Sequence, residues 1–243
     1  MSDDRRYPYA EPAQDLLDDL MDTLLRDFKN PLSAVIGALE LLQEAADDSL
    51  DDYARQLIHT AQQAAYRQNM LVEDILSTVR MEAGEMAVTL QPTAIGRLVE
   101  QCVAESAPII AQRNLTLQTD FASDLPPARA DGALLRRVIA NLLENAIKST
   151  PEGGSISIHA TIAGDEVRFA VTDGGYPVPP ELHEAIFDRR LRGNVAVKGA
   201  RAGMGFGLAF CRLAITAMHG RIWVESAYNT GGTFCFALPT NET

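Results

Sequence analysis

Four short segments of the 243-residue sequence carry residue types that could do chemistry together. In Asn141-Leu-Leu-Glu-Asn145-Ala-Ile-Lys148 the two amides and the ammonium fall at i, i+4 and i+7, so a helix presents all three on one face. Amide oxygens are hard ligands for a cation such as Mg2+, and a lysine can meet a phosphate. Asp173-Gly174-Gly175 follows directly on the apolar run at 167–171. A carboxylate at a strand end accepts from an exocyclic amine, and a glycine lets a flat base approach the backbone. Gly203, Gly205 and Gly207 alternate ahead of an apolar helical run, offering backbone N–H groups and a helix N-terminus to phosphates. Gly231-Gly232-Thr233 precedes the last apolar alternation. Taken singly these are a solvated helix face, a turn, a glycine-rich loop and a second turn. In this order they describe a nucleotide site.

The elements that must position these residues are legible in the periodicity. From residue 85 onward the pattern predicts a helix over 93–112, a strand at 115–121 and a helix from about 131 to 149. A strand pair at 156–162 and 167–171 turns at Gly164-Asp165, a helix follows Gly205, and two strands cover 221–226 and 232–238. This order predicts an α/β sandwich with helices on one face of a mixed sheet. Upstream, Leu17, Met21, Leu24, Phe28, Leu32, Val35, Leu39 and Leu42 form one helical stripe, with a kink expected at Pro31. Leu57, Ala61, Ala64, Gln68, Leu71, Ile75 and Val79 form a second, and the acidic stretch 45–52 connects the two. The class is therefore α+β: residues 1–14 a flexible lead-in, 15–84 a helical hairpin, 85–243 the sandwich domain. A single hairpin cannot bury both stripes, so a homodimer with a four-helix bundle is expected.

The formal net charge of -12 argues against nucleic acid or an anionic membrane surface as partner. The charge is uneven: residues 1–52 hold 14 Asp/Glu against 4 Lys/Arg, while residues 189–221 hold 7 Lys/Arg and no acid. That basic stretch in an acidic chain points to an anion handled there. Cys102, Cys211 and Cys235 are far apart and form no metal or CxxC spacing, as reduced cytoplasmic thiols do. No apolar run approaches about 18 residues. The expectation is a soluble, cytoplasmic protein without direct membrane insertion, whose input arrives through a partner.

The four segments, in their order and spacing, resemble the ATP-binding domain of sensor histidine kinases, and the resemblance extends over roughly residues 16–240. It implies ATP and Mg2+ as ligands. By resemblance Asn145 matches the family's Mg2+ ligand, Asn141 and Lys148 its companions in that box, and Asp173 with Gly175 the adenine site. Gly203, Gly205 and Gly207 match the phosphate loop. Ile186-Phe187 followed by Arg192-Gly193 is similar to the segment entering the ATP lid, whose arginine contacts phosphate. His219-Gly220 and Gly232-Thr233 match two further signatures, with His219 read as structural. Two positions depart from the pattern: Pro177 replaces the second glycine of the aspartate loop, removing an N–H, and Arg190 replaces an aromatic of the lid.

A third departure bears on the reaction. The run Arg26-Asp27-Phe28-Lys29-Asn30-Pro31 is similar to the family's phosphoacceptor motif, except that arginine stands for histidine. Imidazole offers a nitrogen lone pair to phosphorus, whereas a guanidinium stays protonated and accepts nothing. His59, His159 and His183 lie away from the motif. Asp27 and Asn30 keep the acid and amide that the resemblance assigns to general-base catalysis and to orienting the water that dephosphorylates a response regulator. The reading is a degenerate kinase acting on a response regulator or a partner histidine kinase. Its alternatives are an active kinase with another acceptor and a serine kinase of anti-sigma type, though the long stem is unusual for the latter. A phosphotransfer scaffold keeps the histidine and loses the glycine loop, the reverse of this pattern.

Overall fold

The computed structural model describes residues 30–42, 50–83, 86–188, 206–227 and 230–240. The chain divides into two compact units, Met1–Arg80 and Met81–Thr243.

The first unit contains helix α1 (30–42) and helix α2 (Asp52–Glu82). Asp51 starts α2 by accepting from the Ala54 N–H at 2.7 Å, as an N-cap does. The Tyr66 hydroxyl donates to Glu40 and ties the two helices side by side. Ile36 of α1 and Ala65 and Val72 of α2 are buried. The stripe predicted for α2 is mostly left uncovered by α1: Ala61, Ala64 and Gln68 are exposed and Leu57 is 52% exposed. Val35 and Leu42 of the α1 stripe are each 49% exposed. One hairpin has one helix–helix contact to offer, so a second apolar face on each helix stays in solvent. The residues of the first stripe before position 30 lie outside the described residues, and the kink expected at Pro31 falls at their edge.

The second unit is the expected sandwich. It runs β1 (Gln91–Thr93), α3 (Ile95–Gln112), β2 (Thr116–Phe121), β3 (Ala128–Ala130), α4 (Gly132–Ser149), β4 (Ser155–Ala163), β5 (Glu166–Thr172), α5 (Phe206–Ala217), β6 (Arg221–Ala227) and β7 (Thr230–Pro239). Two 3-10 turns, Pro180–Leu182 and Ala185–Phe187, lie between β5 and α5. The main sheet has the order β2-β4-β5-β7-β6, with β2 parallel to β4 and the other pairs antiparallel. A small antiparallel pair, β1 with β3, was not legible as strands because each has only three residues.

Alternation builds the core. Ile156, Ile158 and Ala160, then Val167, Phe169 and Val171, then Phe234, Phe236 and Leu238 are buried on one sheet face. Phe169 stacks on Phe236 at 4.7 Å. Helices α3, α4 and α5 cover that face through Val99, Leu135, Val138, Leu142, Phe210 and Ile215. The Arg137 guanidinium lies 4.0 Å from the Phe210 ring centroid, closing the α4–α5 contact. The opposite face is charged: Arg168 pairs with Glu225 at 2.6 Å and lies beside the Trp223 ring, and Arg221 pairs with Glu166.

The end of α5 explains the His-Gly pair. His219 adopts a left-handed backbone (φ 61) and is exposed, and the Gly220 N–H donates to Ile215 O at 2.9 Å. This supports the structural reading of His219. A Cβ on Gly220 would fall 2.3 Å from Ala237 O of β7. Gly220→Ala is therefore expected to cost about 2–3 kcal/mol in urea unfolding of the whole chain with an unchanged m-value.

Candidate functional site

Helix α4 begins where Asp131 caps it, accepting from the Ala133 and Leu134 N–H groups at 3.0 and 3.2 Å. Its apolar face is driven into the core by Leu134, Leu135, Val138, Ile139, Leu142, Leu143, Ala146 and Ile147. The helix therefore cannot rotate, and its polar residues are set in place by the residues between them. Asn141 is 7% exposed, and its Nδ2 is buried without a hydrogen-bond partner. Asn145, one turn on, is half-buried, and Lys148 is exposed and bonded to Glu144 at 2.6 Å. The three predicted residues thus grade from buried to exposed along one helix. Lys148 is held by its own helix rather than aimed freely.

Asp173 stands at the end of β5 and is 4% exposed. Its Oδ1 accepts from the Gly175 N–H at 2.8 Å and from the Gly232 N–H at 3.3 Å. Burial pushes its carboxyl up to about 6, against the pull of those two N–H groups. The surrounding glycines are required by proximity. A Cβ on Gly231 would lie 2.1 Å from Asp173 O and 2.4 Å from Oδ1, and one on Gly175 would lie 2.7 Å from Ser149 O. Gly231 and Gly232, which the sequence suggests only as a turn, are the wall against which the aspartate is held. Thr150, directly after α4, joins the aspartate loop to the helix by accepting from the Gly174 N–H at 3.0 Å. Nothing in its spacing marks it beforehand.

The predicted residues do not all converge. The Thr233 hydroxyl meets Thr172 at 3.0 Å, on the sheet face opposite the core and one residue out of phase with Asp173. The period of two along a strand puts Gly232, not the Thr233 side chain, beside the carboxylate. Gly207 is the second residue of α5. Arg26, Asp27, Arg190, Arg192, Gly203 and Gly205 lie outside the described residues, and Asn30 is the first described residue of α1 and exposed. Pro177 is accommodated, because the Val178 N–H that follows it donates to the Ser226 hydroxyl at 3.0 Å. Phe187 is buried with an edge-on contact to Phe234, anchoring the chain just before residue 189. His183 Nε2 bonds to Val178 O at 3.0 Å and His159 Nδ1 lies 3.4 Å from Asp120 in solvent, so neither sits with Asn141 or Asp173. Of the basic stretch, the described Arg212 and Arg221 face Glu184 and Glu166. No described helix is long and apolar enough to cross a membrane.

A buried aspartate beside glycines at the end of a strand, in a mixed sheet whose covering helix bears the asparagines, defines a class of ATPase domain. The family model for histidine kinase-, DNA gyrase B- and HSP90-like ATPases matches residues 130–242, and the His Kinase A (phospho-acceptor) model matches residues 16–84. The adaptive-response sensory kinase SasA of Synechococcus sp. (strain JA-3-3Ab) is 36% identical over 229 residues, covering 93% of this chain. The same kinase of Synechocystis sp. (strain ATCC 27184 / PCC 6803 / Kazusa) is 35% identical over 229 residues, covering 91%. The chain spans 60% and 59% of those relatives. Full-length ShkA, solved in complex with AMPPNP, superposes with a TM-score of 0.70 at 28% identity over 91% of this chain and 46% of ShkA. The chain belongs to the sensor histidine kinase family.

The carboxyl of Asp173 gives a pH-dependent test of this geometry. The folded chain holds its proton up to about pH 6, whereas the unfolded carboxyl releases it near 3.8. Between those values the folded state binds the extra proton, so Asp173 costs stability as pH rises through them. Asp173→Asn keeps an oxygen for both N–H groups. It is expected to be about 2–3 kcal/mol more stable than wild type above pH 6 and equal to it below about pH 4, by urea unfolding.

Proposed function

We propose that this protein is a histidine-kinase-family pseudokinase of two-component signal transduction: it binds Mg-ATP, does not autophosphorylate, and regulates a response regulator or a partner kinase. The observation that carries the reading is Arg26 at the acceptor position of a chain whose Asp173 clamp and asparagine helix are assembled. Asp173 accepts from the adenine amine, and Gly175 lets the base lie against the backbone. The residues fit a magnesium-bound triphosphate: Asn145 would hold the ion through its amide oxygen, and the orphaned Asn141 Nδ2 would donate to a phosphate oxygen. Lys148 would exchange Glu144 for a phosphate, joined there by Arg192 and the loop of Gly203, Gly205 and Gly207. When bound, Mg-ATP supplies a transferable phosphoryl group, and Arg26 has no lone pair to receive it.

Asp27 and Asn30 retain an acid and an amide three residues apart, which supports engagement of a response regulator and phosphatase action on it. The exposed Val35, Leu42 and Leu57 support pairing of the hairpin with a second copy or with another kinase's stem.

Calorimetry is expected to show Mg-dependent ATP binding, weakened roughly 10–100-fold by Asn145→Ala. Adenosine, whose phosphate-free titration isolates the base site, is expected to lose affinity as pH falls through about 6, because protonated Asp173 gives up an acceptor. Wild type that binds no nucleotide at millimolar ATP overturns the reading.

With γ-labelled ATP, wild type is expected to stay unlabelled, while Arg26→His acquires acid-labile, base-stable label. This requires the γ-phosphate to come within about 3–3.5 Å of the new ring nitrogen. Acid-labile label on wild type overturns the loss of autophosphorylation and makes His59 the first acceptor to test. Acid-stable label would favour the serine-kinase alternative.

A further inference from the structure

Thr150 is 1% exposed and follows α4 directly. Its N–H and its hydroxyl both donate to Ala146 O, at 3.0 and 2.8 Å. With the hydroxyl proton spent there, a lone pair of Oγ1 is directed at the Gly174 N–H, 3.0 Å away. The backbone of Thr150 is fixed from another side, because Arg113 donates to Thr150 O at 2.8 Å and to Ile147 O. Its methyl is confined too: a Cβ on Gly154 would lie 2.6 Å from Thr150 Cγ2, and one on Gly174 3.2 Å. The side chain is therefore held in one rotamer, oxygen toward the aspartate loop and methyl toward the turn after α4.

We infer that Thr150 is a positioning residue of the nucleotide site, its hydroxyl oxygen locking the Asp173–Gly175 loop to the helix that carries Asn141 and Asn145. The inference rests on the nucleotide reading above and adds to it a link between the base end and the metal end. Gly174 sits between the carboxylate that accepts from the base and the glycine against which the base lies. Without an acceptor for its N–H, the loop populates positions in which the base is not met. The apparent affinity then falls by the competent fraction.

Two variants separate positioning from packing. Thr150→Val keeps the shape and removes the oxygen, while Thr150→Ser keeps the oxygen and removes the methyl. In the full chain, below both unfolding midpoints, Mg-ADP is expected to bind Thr150→Val about tenfold more weakly than wild type and Thr150→Ser nearly as well as wild type. Amide hydrogen exchange at Gly174 is expected to accelerate in the valine variant alone. Should that variant not fold, Thr150→Ala against Thr150→Ser poses the same one-oxygen comparison. Serine as the weaker binder, or equal Gly174 exchange in the two variants, overturns the inference in favour of simple packing. Wild type that binds no nucleotide overturns the reading it rests on. The Gly174 exchange order then still decides whether the hydroxyl anchors the loop.

Discussion

A carboxylate withdrawn from water needs hydrogen-bond donors near it, and much of the ATPase-type unit is arranged around meeting that need at Asp173. The backbone N–H groups of Gly175 and Gly232 both point at Oδ1, and they come from two different strand ends. Bringing two backbones that close leaves no room for side chains, which is why Gly231 and Gly175 carry none. The two donors only partly offset the desolvation, so the carboxyl is still pushed up to about 6. That residual cost is what a ligand offering a further donor can recover.

Opposite the aspartate, α4 solves a different problem. A helix whose apolar residues all lie in the core cannot choose where its polar residues go. Asn141 is carried inward with an amide hydrogen left unbonded, a state that native interiors seldom tolerate without a ligand or water to complete it. The helix is fixed at both ends, by Asp131 at its start and by Arg113 at its last carbonyls. The elements proposed to carry the base and phosphate subsites are thereby held in one core and joined by the buried Thr150 hydroxyl.

The hairpin unit is built on the contrary principle. Its described helices bury little, keeping Ile36, Ala65 and Val72 inside while Val35, Leu42 and Leu57 remain about half exposed. A two-helix element of this composition covers its remaining apolar faces only in the company of other helices, which supports the pairing proposed for the hairpin. The pseudokinase proposal turns on Arg26, a cation with no lone pair at the position that resembles the family motif's nucleophile.

Sequence alone determined what depends on local periodicity and residue chemistry. The α/β sandwich followed from alternation in β4, β5 and β7, the asparagine face from spacings of four and seven, and the proposal of a lost nucleophile from the identity of residue 26. It also named Asp173, through the order of the four segments and the resemblance they carry, since an Asp-Gly pair alone reads as a turn. Tertiary structure decided what depends on meetings across the chain. It took Thr233 away from the aspartate, since strand alternation turns its hydroxyl to Thr172. In its place it put Gly231 and Gly232, whose role comes from a close approach some 60 residues away in sequence, the kind of distance local pattern does not encode. The hydroxyl of Thr150 was assigned to Gly174, 24 residues on, for the same reason, whereas the Lys148–Glu144 pair is an i, i+4 contact within one helix. A residue's type limits which partners it can satisfy, and only the packed fold settles which of them comes within reach.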